Sequence, residues 1–582
     1  MLGNDPLRNV LYIDLTKKRF WIEDRLDLFE KWIGGVGVAT QILREELTKG
    51  VDPLDPGNVI VFAVGPLTGN FPLASKTVAV FKSPLTNNWG ESHAGGRSAI
   101  AIRMAGFGAI VIEGKSERPV YLSIHDGKVF FKDASGLWGL TSSRTAGRVL
   151  RELESGSGLR TIMRIGKAGR KLIKYANVIV DTYRHFGRLG LGAVFGSKNL
   201  EAIVIYGRQE LPVADKRRYR EIYDEIFYKA VKSPLMKKYR DLGTAMNVIP
   251  LNNISGLPTR NLKACKFEYA GQISGESFAR SVLARRASCA HCPVACIHIG
   301  ALREPYVDEP YFYKTTFVAY DYGPIASIGP MLGLNNPLDI LKMINLIDIY
   351  GLDAISTGVV LAWATEALEK KIISKEQTLV DFSWGDLNSY IKGVTFLVDQ
   401  PNEFYKVLGE GVEFAASKYG GREFALAFGR NEIPGYHTGP AGYISFLISA
   451  RHNHSDSLGY ELDLESLELS PEKTVDRLVE EEQWSQILSS LVTCYFAREI
   501  YTPTLISSAL EVLGFNFSPD DLKKLGEKIH YEKYLLAERE GFRISKLHIP
   551  RRIFEVPAAK GKINEEFIRK ALEYFSQKME LE

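Results

Sequence analysis

The sequence predicts an α+β fold, in which a β-rich section over residues 1–210 precedes two mainly α-helical sections, over 211–419 and 420–582. Short apolar or β-branched runs bounded by Gly, Pro or Ser, which are typical of strands, mark the first section. Amphipathic patterns with helix-capping signals take over in the second section. The third opens with an irregular stretch that contains Gly and His and continues largely as helix. A chain of 582 residues is long enough for about three or four domains.

Strand patterns recur through the first section. Four runs predict strands: Val59–Val64, Thr77–Phe81, Ala109–Ile112 and Val120–Ile124. Asp126-Gly127 follows the last of these and precedes Lys128–Lys132, and this dipeptide favours a tight hairpin turn.

Helix signals are clearest in the second section. The segment 215–232 is amphipathic and charged. Asn336-Pro337 has the pattern of an N-cap followed by proline at the first helical position, and Gly351 is a typical stop, so a helix is predicted between them. Asp353 is then a suitable N-cap for a further helix over 354–371.

The bulk composition is that of an ordinary globular chain, with 45% hydrophobic and 24% charged residues. The net charge of +4 gives no reason to expect nucleic acid or an anionic membrane as a partner. No apolar run approaches the roughly 18–20 residues that span a bilayer. The start of the chain lacks a basic segment followed by an apolar one, so no secretory signal is predicted and a cytoplasmic location is expected.

Three of the five cysteines are clustered as Cys289-x2-Cys292-x3-Cys296. Soft thiolates at this spacing suit an iron–sulfur cluster, and a [4Fe–4S] cubane needs a fourth ligand, either Cys494 or Cys265. The main alternative is a zinc site, with His291 or His298 as further ligands. A second alternative is that the cysteines bind no metal and are reduced, packed side chains.

A carboxylate is predicted on the apolar side of the helix that ends before Gly351. Asp348 lies four residues after Ile344 and seven after Leu341, so it shares their stripe. A buried carboxylate needs hydrogen-bond donors. In a purely structural role, the donor would be a core arginine or a capping amide. In a functional role, the donors would be the N–H groups of a buried heterocycle. The N-terminus of the next helix would favour anionic ligand atoms.

Two glycine-containing basic stretches in the first section suit the approach of backbone to a ligand. One runs from Lys82–Thr86 to Ser92–Arg97 and the other covers Arg184–Gly192. Glycine lets backbone amides reach phosphate oxygens, and arginine supplies bidentate positive charge. Each stretch taken alone is equally compatible with a turn that carries solvated basic residues.

Together these segments resemble one family, the aldehyde ferredoxin oxidoreductases, which are tungstopterin enzymes of anaerobes, and the likeness runs nearly end to end. The motifs that carry it are Ile33–Gly37, Lys82–Thr86, Gly187–Leu200, the cysteine triplet and Asp348-x-x-Gly351-Leu352-Asp353. The resemblance implies a β-rich first domain that forms a base for two pterins, followed by two mainly helical domains. It also implies a tungsten bis-pterin, Mg²⁺ that bridges the pterin phosphates, and one [4Fe–4S] cluster.

The resemblance assigns roles to individual residues. It implies that the cluster ligands are Cys289, Cys292, Cys296 and Cys494, with Cys265 as a spare thiol. It implies that the pterins and their phosphates are held by Lys76, His93, Gly95, Arg184, His185, Gly187, Asp348, Leu352 and Asp353.

Several positions depart from the family pattern. A second Asp-x-x-Gly-Leu-Cys motif corresponds here to Ser489–Cys494, with Ser489 for the aspartate and Val492 for the glycine. His93 replaces an asparagine near the bridged phosphates, and Lys76 replaces a common arginine. The sequence therefore predicts that the second pterin is held differently.

The resemblance also implies an active site and a reaction. An acidic segment of the family corresponds to Tyr320–Gly323, which leaves Asp321 and Tyr322 as proton-handling groups. His454, or in its place His452, would act near the substrate. The implied reaction oxidises an aldehyde and water to a carboxylate, with electrons passed through the cluster to ferredoxin.

Two alternatives remain at this point. One is a tungstopterin subunit of a reductase that acts on an aromatic acyl thioester. The other is a non-catalytic protein stapled by zinc. The expected partners are an aldehyde substrate, ferredoxin or a ferredoxin-like small subunit, and further copies of the chain in a homo-oligomer, but no nucleic acid and no membrane.

Overall fold

The computed structural model describes residues 5–154, 156, 159–213, 215–306, 311–465 and 469–580. The chain divides into two compact units. Unit one comprises Met1–Met236, Ser288–Val294 and Val479–Arg543, and unit two comprises Lys237–Ala287, Ala295–Leu478 and Ile544–Glu582. Unit one thus takes in two segments from far along the chain, which no local sequence pattern indicates. The sequence-based division at residues 210 and 420 stays a prediction.

The first sheet of unit one has six strands: β1 Asn9–Asp14, β2 Arg19–Asp24, β3 Ile60–Ala63, β4 Thr77–Lys82, β5 Trp89–Ala94 and β6 Ala109–Glu113. Their order is β2-β1-β6-β3-β4-β5, and β1 and β6 are parallel while the other neighbours are antiparallel. β3 and β4 are buried along their whole length, so they lie in the core. The first three predicted strands are confirmed as β3, β4 and β6.

The second sheet of unit one also has six strands: β7 Val120–His125, β8 Lys128–Asp133, β9 Thr161–Arg164, β10 Val178–Val180, β11 Arg184–Phe186 and β12 Leu200–Ile205. Their order is β11-β10-β9-β12-β7-β8, with β7 and β12 parallel. The predicted hairpin joins β7 to β8. Asp126 and Gly127 have φ values of 51° and 68°, the left-handed conformation that a two-residue turn of this kind requires.

The helices in the first part of unit one are α1 Leu26–Trp32, α2 Gly35–Glu46, α3 Ser98–Met104, α4 Ser135–Trp138, α5 Ser143–Leu153, α6 Lys167–Arg170, α7 Leu191–Ser197 and α8 Lys216–Lys232. α8 confirms the predicted amphipathic helix. Its N-cap Asp215 accepts hydrogen bonds from the backbone N–H groups of Arg217 and Arg218.

Helices dominate unit two: α9 Pro234–Leu242, which begins in unit one, α10 Val248–Asn253, α11 Gly275–Ser281, α12 Tyr322–Ile328, α13 Pro337–Tyr350, α14 Ala354–Glu369, α15 Lys375–Thr378, α16 Leu387–Asp399, α17 Glu403–Leu408, α18 Val412–Tyr419, α19 Pro440–Ile448 and α20 Gly459–Leu462. α14 is buried without a break from Ser356 to Ala367, as expected of a helix at the centre of a core.

Unit two also contains strands that the sequence analysis missed: β13 Leu283–Ala287, β14 Ile297–Pro305, β15 Tyr313–Tyr320, β16 Ala427–Phe428 and β17 Asn431–Glu432. The first three form an antiparallel sheet in chain order. The connection from β13 to β14 carries the cysteine triplet, and β15 leads directly into the segment that contains Asp321.

The predicted capping signals of α13 and α14 are confirmed. Asn336 accepts a hydrogen bond from Leu338 N at 2.9 Å, and proline follows it at the first helical position. Gly351 ends α13 with φ 78°. Asp353 caps α14 by accepting from Ile355 N at 2.9 Å.

The chain ends in five more helices: α21 Pro471–Ser490, α22 Pro503–Glu511, α23 Pro519–Arg539, α24 Arg552–Glu555 and α25 Glu565–Met579. In the described part of the chain, no helix combines the length and the apolar character needed to cross a membrane. The chain thus has a β-rich first region followed by a mainly helical region, which is the arrangement expected of the predicted α+β class.

Candidate cofactor-binding and active site

The loop between β13 and β14 and the segment after α21 meet at Leu73 in unit one. Leu73 N donates to His291 O at 3.2 Å, and Leu73 O accepts from Cys494 N at 2.9 Å. Because His291 stands between Cys289 and Cys292 in the sequence, these two backbone contacts bring the segments that carry three predicted cluster ligands to one residue.

The remaining cysteines differ in their surroundings. Cys296 lies immediately before β14, four residues after Cys292, and is half-buried. Cys265 belongs to a separate turn of unit two, where its carbonyl accepts from Leu257 N at 3.2 Å and burial raises the pKa of its thiol. No disulfide joins any of the five cysteines.

Gly95 allows the Cys289 thiol to approach a basic strand. A Cβ atom at Gly95 would lie 2.8 Å from Cys289 Sγ and 3.5 Å from Arg184 Nε. The neighbouring Gly96 accepts a hydrogen bond from Ala290 N at 2.8 Å. The structure therefore brings two predicted cofactor residues, Gly95 and Arg184, directly to a predicted cluster ligand.

We expect Gly95→Ala to impair assembly of the cluster, because a Cβ only 2.8 Å from Cys289 Sγ forces that thiol to move. Overpacking of this kind costs about 1–3 kcal/mol, and a displaced thiolate no longer meets its iron. Iron per chain and the visible absorption of the purified protein measure the effect. Gly136→Ala is the matched control, since a Cβ there meets nothing within 4 Å. Equal iron in both variants would contradict the prediction.

β11 and the residue after it form a basic, open stretch. Burial lowers the pKa of His185 to about 3, and the nearby Arg184 and Arg164 lower it further, so its imidazole is neutral. A Cβ at Gly187 would have no atom within 4 Å, so its backbone borders open space. Arginine charge and accessible backbone amides are the features that hold phosphate oxygens.

Lys76 and His93 are brought together by Tyr495, which the sequence analysis did not select. Lys76 Nζ lies 4.7 Å from the centre of the Tyr495 ring, and the His93 and Tyr495 ring centres are 6.0 Å apart. The Tyr495 hydroxyl contacts Ser489 Oγ at 2.5 Å. The signal in the sequence is the position of Tyr495 directly after the predicted cluster ligand Cys494.

His93 is anchored from behind by a buried ion pair. His93 Nε2 lies 2.6 Å from Glu91 Oε1, and the other oxygen of Glu91 lies 2.6 Å from Lys533 Nζ. Trp89 Nε1 also donates to Glu91 at 3.2 Å. These contacts fix the orientation of the imidazole.

In unit two the Asp348 motif lies at the junction of α13 and α14. Asp348 is half-buried in the last turn of α13, and Leu352 is fully buried. The carboxylate of Asp353 is engaged in the helix cap and accepts from Ser356 Oγ at 2.6 Å. The structure thus gives Asp353 a capping role, and the assignment of Asp348 to a pterin stays a prediction.

A group of aromatic side chains surrounds His454 in unit two. The ring centre of His454 lies 4.8 Å from that of Tyr436 and 6.1 Å from that of Tyr460. Tyr322 packs on Tyr436 from another direction, at 5.1 Å. Burial raises the pKa of both Tyr322 and Tyr436 well above the usual value, so both hydroxyls keep their protons.

Two further contacts orient this group. The Tyr322 hydroxyl donates to Gly435 O at 2.5 Å, and Tyr322 N donates to Thr244 Oγ1 at 2.9 Å. Asp321 is exposed at the N-terminus of α12 and is among the charges that raise the Tyr436 pKa. Three predicted catalytic residues, Asp321, Tyr322 and His454, therefore belong to one neighbourhood.

Two family models match the chain. The model described as aldehyde ferredoxin oxidoreductase, N-terminal domain, matches residues 10–207, and the model described as aldehyde ferredoxin oxidoreductase, domains 2 and 3, matches residues 221–579. The chain belongs to the aldehyde ferredoxin oxidoreductase family. The resemblance seen in the sequence is confirmed.

Individual relatives span most of the chain. A tungsten-containing aldehyde ferredoxin oxidoreductase of Thermococcus kodakarensis is 33% identical over 561 residues, covering 92% of this chain and 89% of that protein. The aliphatic sulfonate oxidoreductase, WOR-like subunit, of Pyrococcus furiosus is 29% identical and covers 90% of this chain and 85% of that protein. Among aldehyde ferredoxin oxidoreductase relatives, the names thus differ in substrate.

A solved structure shares the fold. The active-site complex BamBC of benzoyl coenzyme A reductase with 1,5-dienoyl-CoA has a chain that superimposes with a TM-score of 0.83 at 20% identity, over 99% of this chain and 94% of that chain. The α+β fold class predicted from the sequence is confirmed.

The two histidines suggested by the family resemblance have different surroundings. His452 Nδ1 lies 2.8 Å from Phe446 O, and its ring packs so closely on Gly429 that a Cβ there would collide with it. Burial lowers the pKa of His452 to about 4. These contacts suit a structural residue, whereas His454 lies among the tyrosines, and this placement favours His454 for proton transfer.

The segment Ser489–Cys494, which departs from the second family motif in sequence, packs closely against a glycine-containing turn. Gly35, with φ 41°, lies so close to Ser489 O that it admits no side chain, and Gly37 N donates to Ser490 Oγ at 3.1 Å. The Ile33–Gly37 motif therefore packs against the end of α21. Val492 has φ 52°, a conformation that strains a β-branched residue and that glycine adopts freely.

Proposed function

We propose that this chain is a tungsten-dependent enzyme that oxidises aldehydes to carboxylic acids and passes the electrons through one [4Fe–4S] cluster to ferredoxin. The observation that carries the proposal is the meeting of the Cys289–Cys292 loop and Cys494 at Leu73, with Gly95 and its basic strand beside them. Four thiols, with Cys296 as the fourth, are the ligand set of a cubane. Tungsten as the metal and aldehyde oxidation as the reaction are proposed because the similar relatives are tungsten-containing aldehyde ferredoxin oxidoreductases.

The residues of each unit fit the groups that a bis-pterin presents. In unit one, Lys76 and Arg184 supply positive charge for pterin phosphates and for the oxygen ligands of Mg²⁺, and Gly187 leaves its backbone open. His93, held by Glu91, would donate or accept a hydrogen bond there. In unit two, Asp348 would accept N–H groups of a pterin ring.

When bound, the tungsten bis-pterin supplies two-electron redox chemistry and polarises the carbonyl. Oxidation of one aldehyde by one water to a carboxylate releases two electrons and three protons. His454 would accept the proton that water loses, because imidazole is the side chain matched to proton transfer near neutral pH. Tyr322 and Tyr436 stay protonated. The Tyr322 hydroxyl donates its proton to Gly435 O, so Tyr436 is the one of the two that would donate a hydrogen bond to a substrate oxygen.

The proposed partners follow from the proposed reaction, which releases two electrons. Electrons leave the cluster to ferredoxin or to a ferredoxin-like small subunit, and the chain can also form a homo-oligomer. The similar solved structure is a complex, BamBC, which supports an assembly of this chain with a second subunit.

We expect protein purified without oxygen, from cells grown with tungstate, to contain iron and tungsten at about four to one and to reduce a viologen dye with at least one member of an aldehyde panel. Metal analysis, visible absorption and dye-linked turnover measure this. A colourless protein that binds zinc would contradict the proposal. Reduction of an aromatic acyl thioester by reduced dye, without aldehyde oxidation, would instead favour the reductase alternative.

A further inference from the structure

An open cleft of about 1010 Å³ in unit one reaches the cysteine loop. Its lining includes the side chain of His291, which lies between two predicted cluster ligands, and Tyr219, Tyr223, Lys216 and Arg220 of α8. No residue assigned above to pterin or substrate lines this cleft. The cleft is therefore a separate feature of the surface beside the cluster thiols.

The floor of the cleft is a row of rings. Tyr219 and Tyr223 are one helical turn apart with ring centres at 5.9 Å, and Tyr223 stacks on His291 at 5.5 Å. His291 Nε2 and the Tyr223 hydroxyl lie 3.1 Å apart. The backbone of His291 is hydrogen-bonded through Leu73 to that of Cys494, so a short backbone connection runs from the cleft to the segment that carries Cys494. Electron transfer falls steeply with distance, and this surface is close to the thiols.

The rim carries positive charge in an unusual position. Lys216, Arg217, Arg218 and Arg220 fill the first turns of α8 and are exposed. The N-terminus of a helix already carries partial positive charge, which disfavours cations there. Arg217 and Arg218 share Glu221, at 3.5 and 3.1 Å, whereas no described ion pair involves Lys216 or Arg220. Such a cluster opposes helix stability and suits the binding of an acidic surface.

We propose that this cleft is the docking site of an acidic iron–sulfur electron carrier, which rests on the α8 face over Tyr223 and His291. The inference deepens the proposed function and rests on it for the direction of electron flow. Each encounter moves one electron from the reduced cluster to the oxidised carrier, so two encounters follow each aldehyde oxidised.

Other occupants fit the charges less well. Glu210 and Asp224 also line the cleft, and they would repel a nucleic acid or an anionic membrane that approached as a continuous negative surface. An acidic protein with its own charge pattern can match the cations and avoid these two carboxylates.

The test compares two double variants of the holoenzyme that carry the same change in net charge. Lys216→Glu with Arg220→Glu alters the cleft, and Lys229→Glu with Lys232→Glu alters the far end of the same helix. Binding of a purified acidic ferredoxin is measured at several salt concentrations, and aldehyde turnover is measured with ferredoxin and with a viologen dye.

We expect the first double variant to weaken ferredoxin binding by about tenfold or more and to flatten its salt dependence. Its dye-linked turnover and the ferredoxin binding of the second double variant should stay within about twofold of wild type. Equal weakening in both variants, or none in either, overturns the docking site. Absence of dye-linked aldehyde turnover in the wild type contradicts the proposed function alone, because ferredoxin binding is still compared directly.

Discussion

Replacement of His454 by alanine is expected to lower kcat by about 10²–10⁴, the usual contribution of general acid–base catalysis. The metal and iron contents should remain those of the wild type, since His454 contacts tyrosines and not the cysteine loop. Dye-linked turnover of the best aldehyde, normalised to tungsten, is the measurement.

The size of this effect follows from the surroundings of His454. The resemblance aligns an acidic segment of the family with Tyr320–Gly323, and Gly323 offers no carboxylate there, so the resemblance implies that one proton-transfer group is missing. Burial raises the pKa of Tyr322 and Tyr436 well above the usual value, and these hydroxyls cannot act as bases near neutral pH. The imidazole of His454 is then the group in this aromatic cluster best matched to accept a proton.

His452→Ala is the control, because it removes a histidine two residues away that packs on Gly429 and Phe446. We expect this variant to lose stability by about 2–5 kcal/mol, as when a large buried side chain is truncated, but to keep kcat in the fraction that folds and binds metal. A His454→Ala variant with full tungsten loading and wild-type turnover would contradict the assignment of His454 as the proton acceptor. A large loss of kcat in His452→Ala alone would transfer the role to that residue.

Local signals in the sequence predicted the elements whose ends are fixed locally. Asn336-Pro337 and Gly351 bound α13 because a side-chain cap and a left-handed glycine act within one turn. Asp126-Gly127 likewise defines its hairpin. The parallel pairing of β1 with β6 could not be predicted, since it joins residues about a hundred positions apart. β13–β15 were missed for a similar reason, because the surrounding pattern is helical.

The candidate site shows the same limit. Cysteine spacing predicts a set of cluster ligands, because the residue type and the interval between thiols are read directly from the sequence. Tyr436 carried no such signal, and it becomes a candidate only through the rings that it contacts. Tyr495 had only its position directly after Cys494, and its contact with Lys76 makes it a candidate. Asp353 stands in a motif that the family resemblance assigns to pterin binding, and it is also the predicted N-cap of α14. The structure confirms the cap through Ile355 N and Ser356 Oγ, and the role of Asp353 toward a pterin stays a prediction.

We expect Cys494→Ala to abolish assembly of the cubane. Cys494 is held to Leu73 by its own backbone N–H, so the substitution removes the thiolate without removing the contact that positions the segment. A cubane with three protein ligands exposes one iron to solvent, and transfer of electrons to ferredoxin is lost with it. Iron content, visible absorption and ferredoxin-linked turnover should all fall to near zero.

Cys265→Ala is the matched control, because it removes one thiol from a turn of unit two that lies outside the predicted ligand set. Burial raises the pKa of Cys265, which keeps it a neutral thiol and a poor ligand for iron. This variant should retain full iron and turnover. If Cys265→Ala lost the cluster while Cys494→Ala kept it, the fourth ligand would be Cys265, and the alignment of Ser489–Cys494 with the second family motif would be wrong.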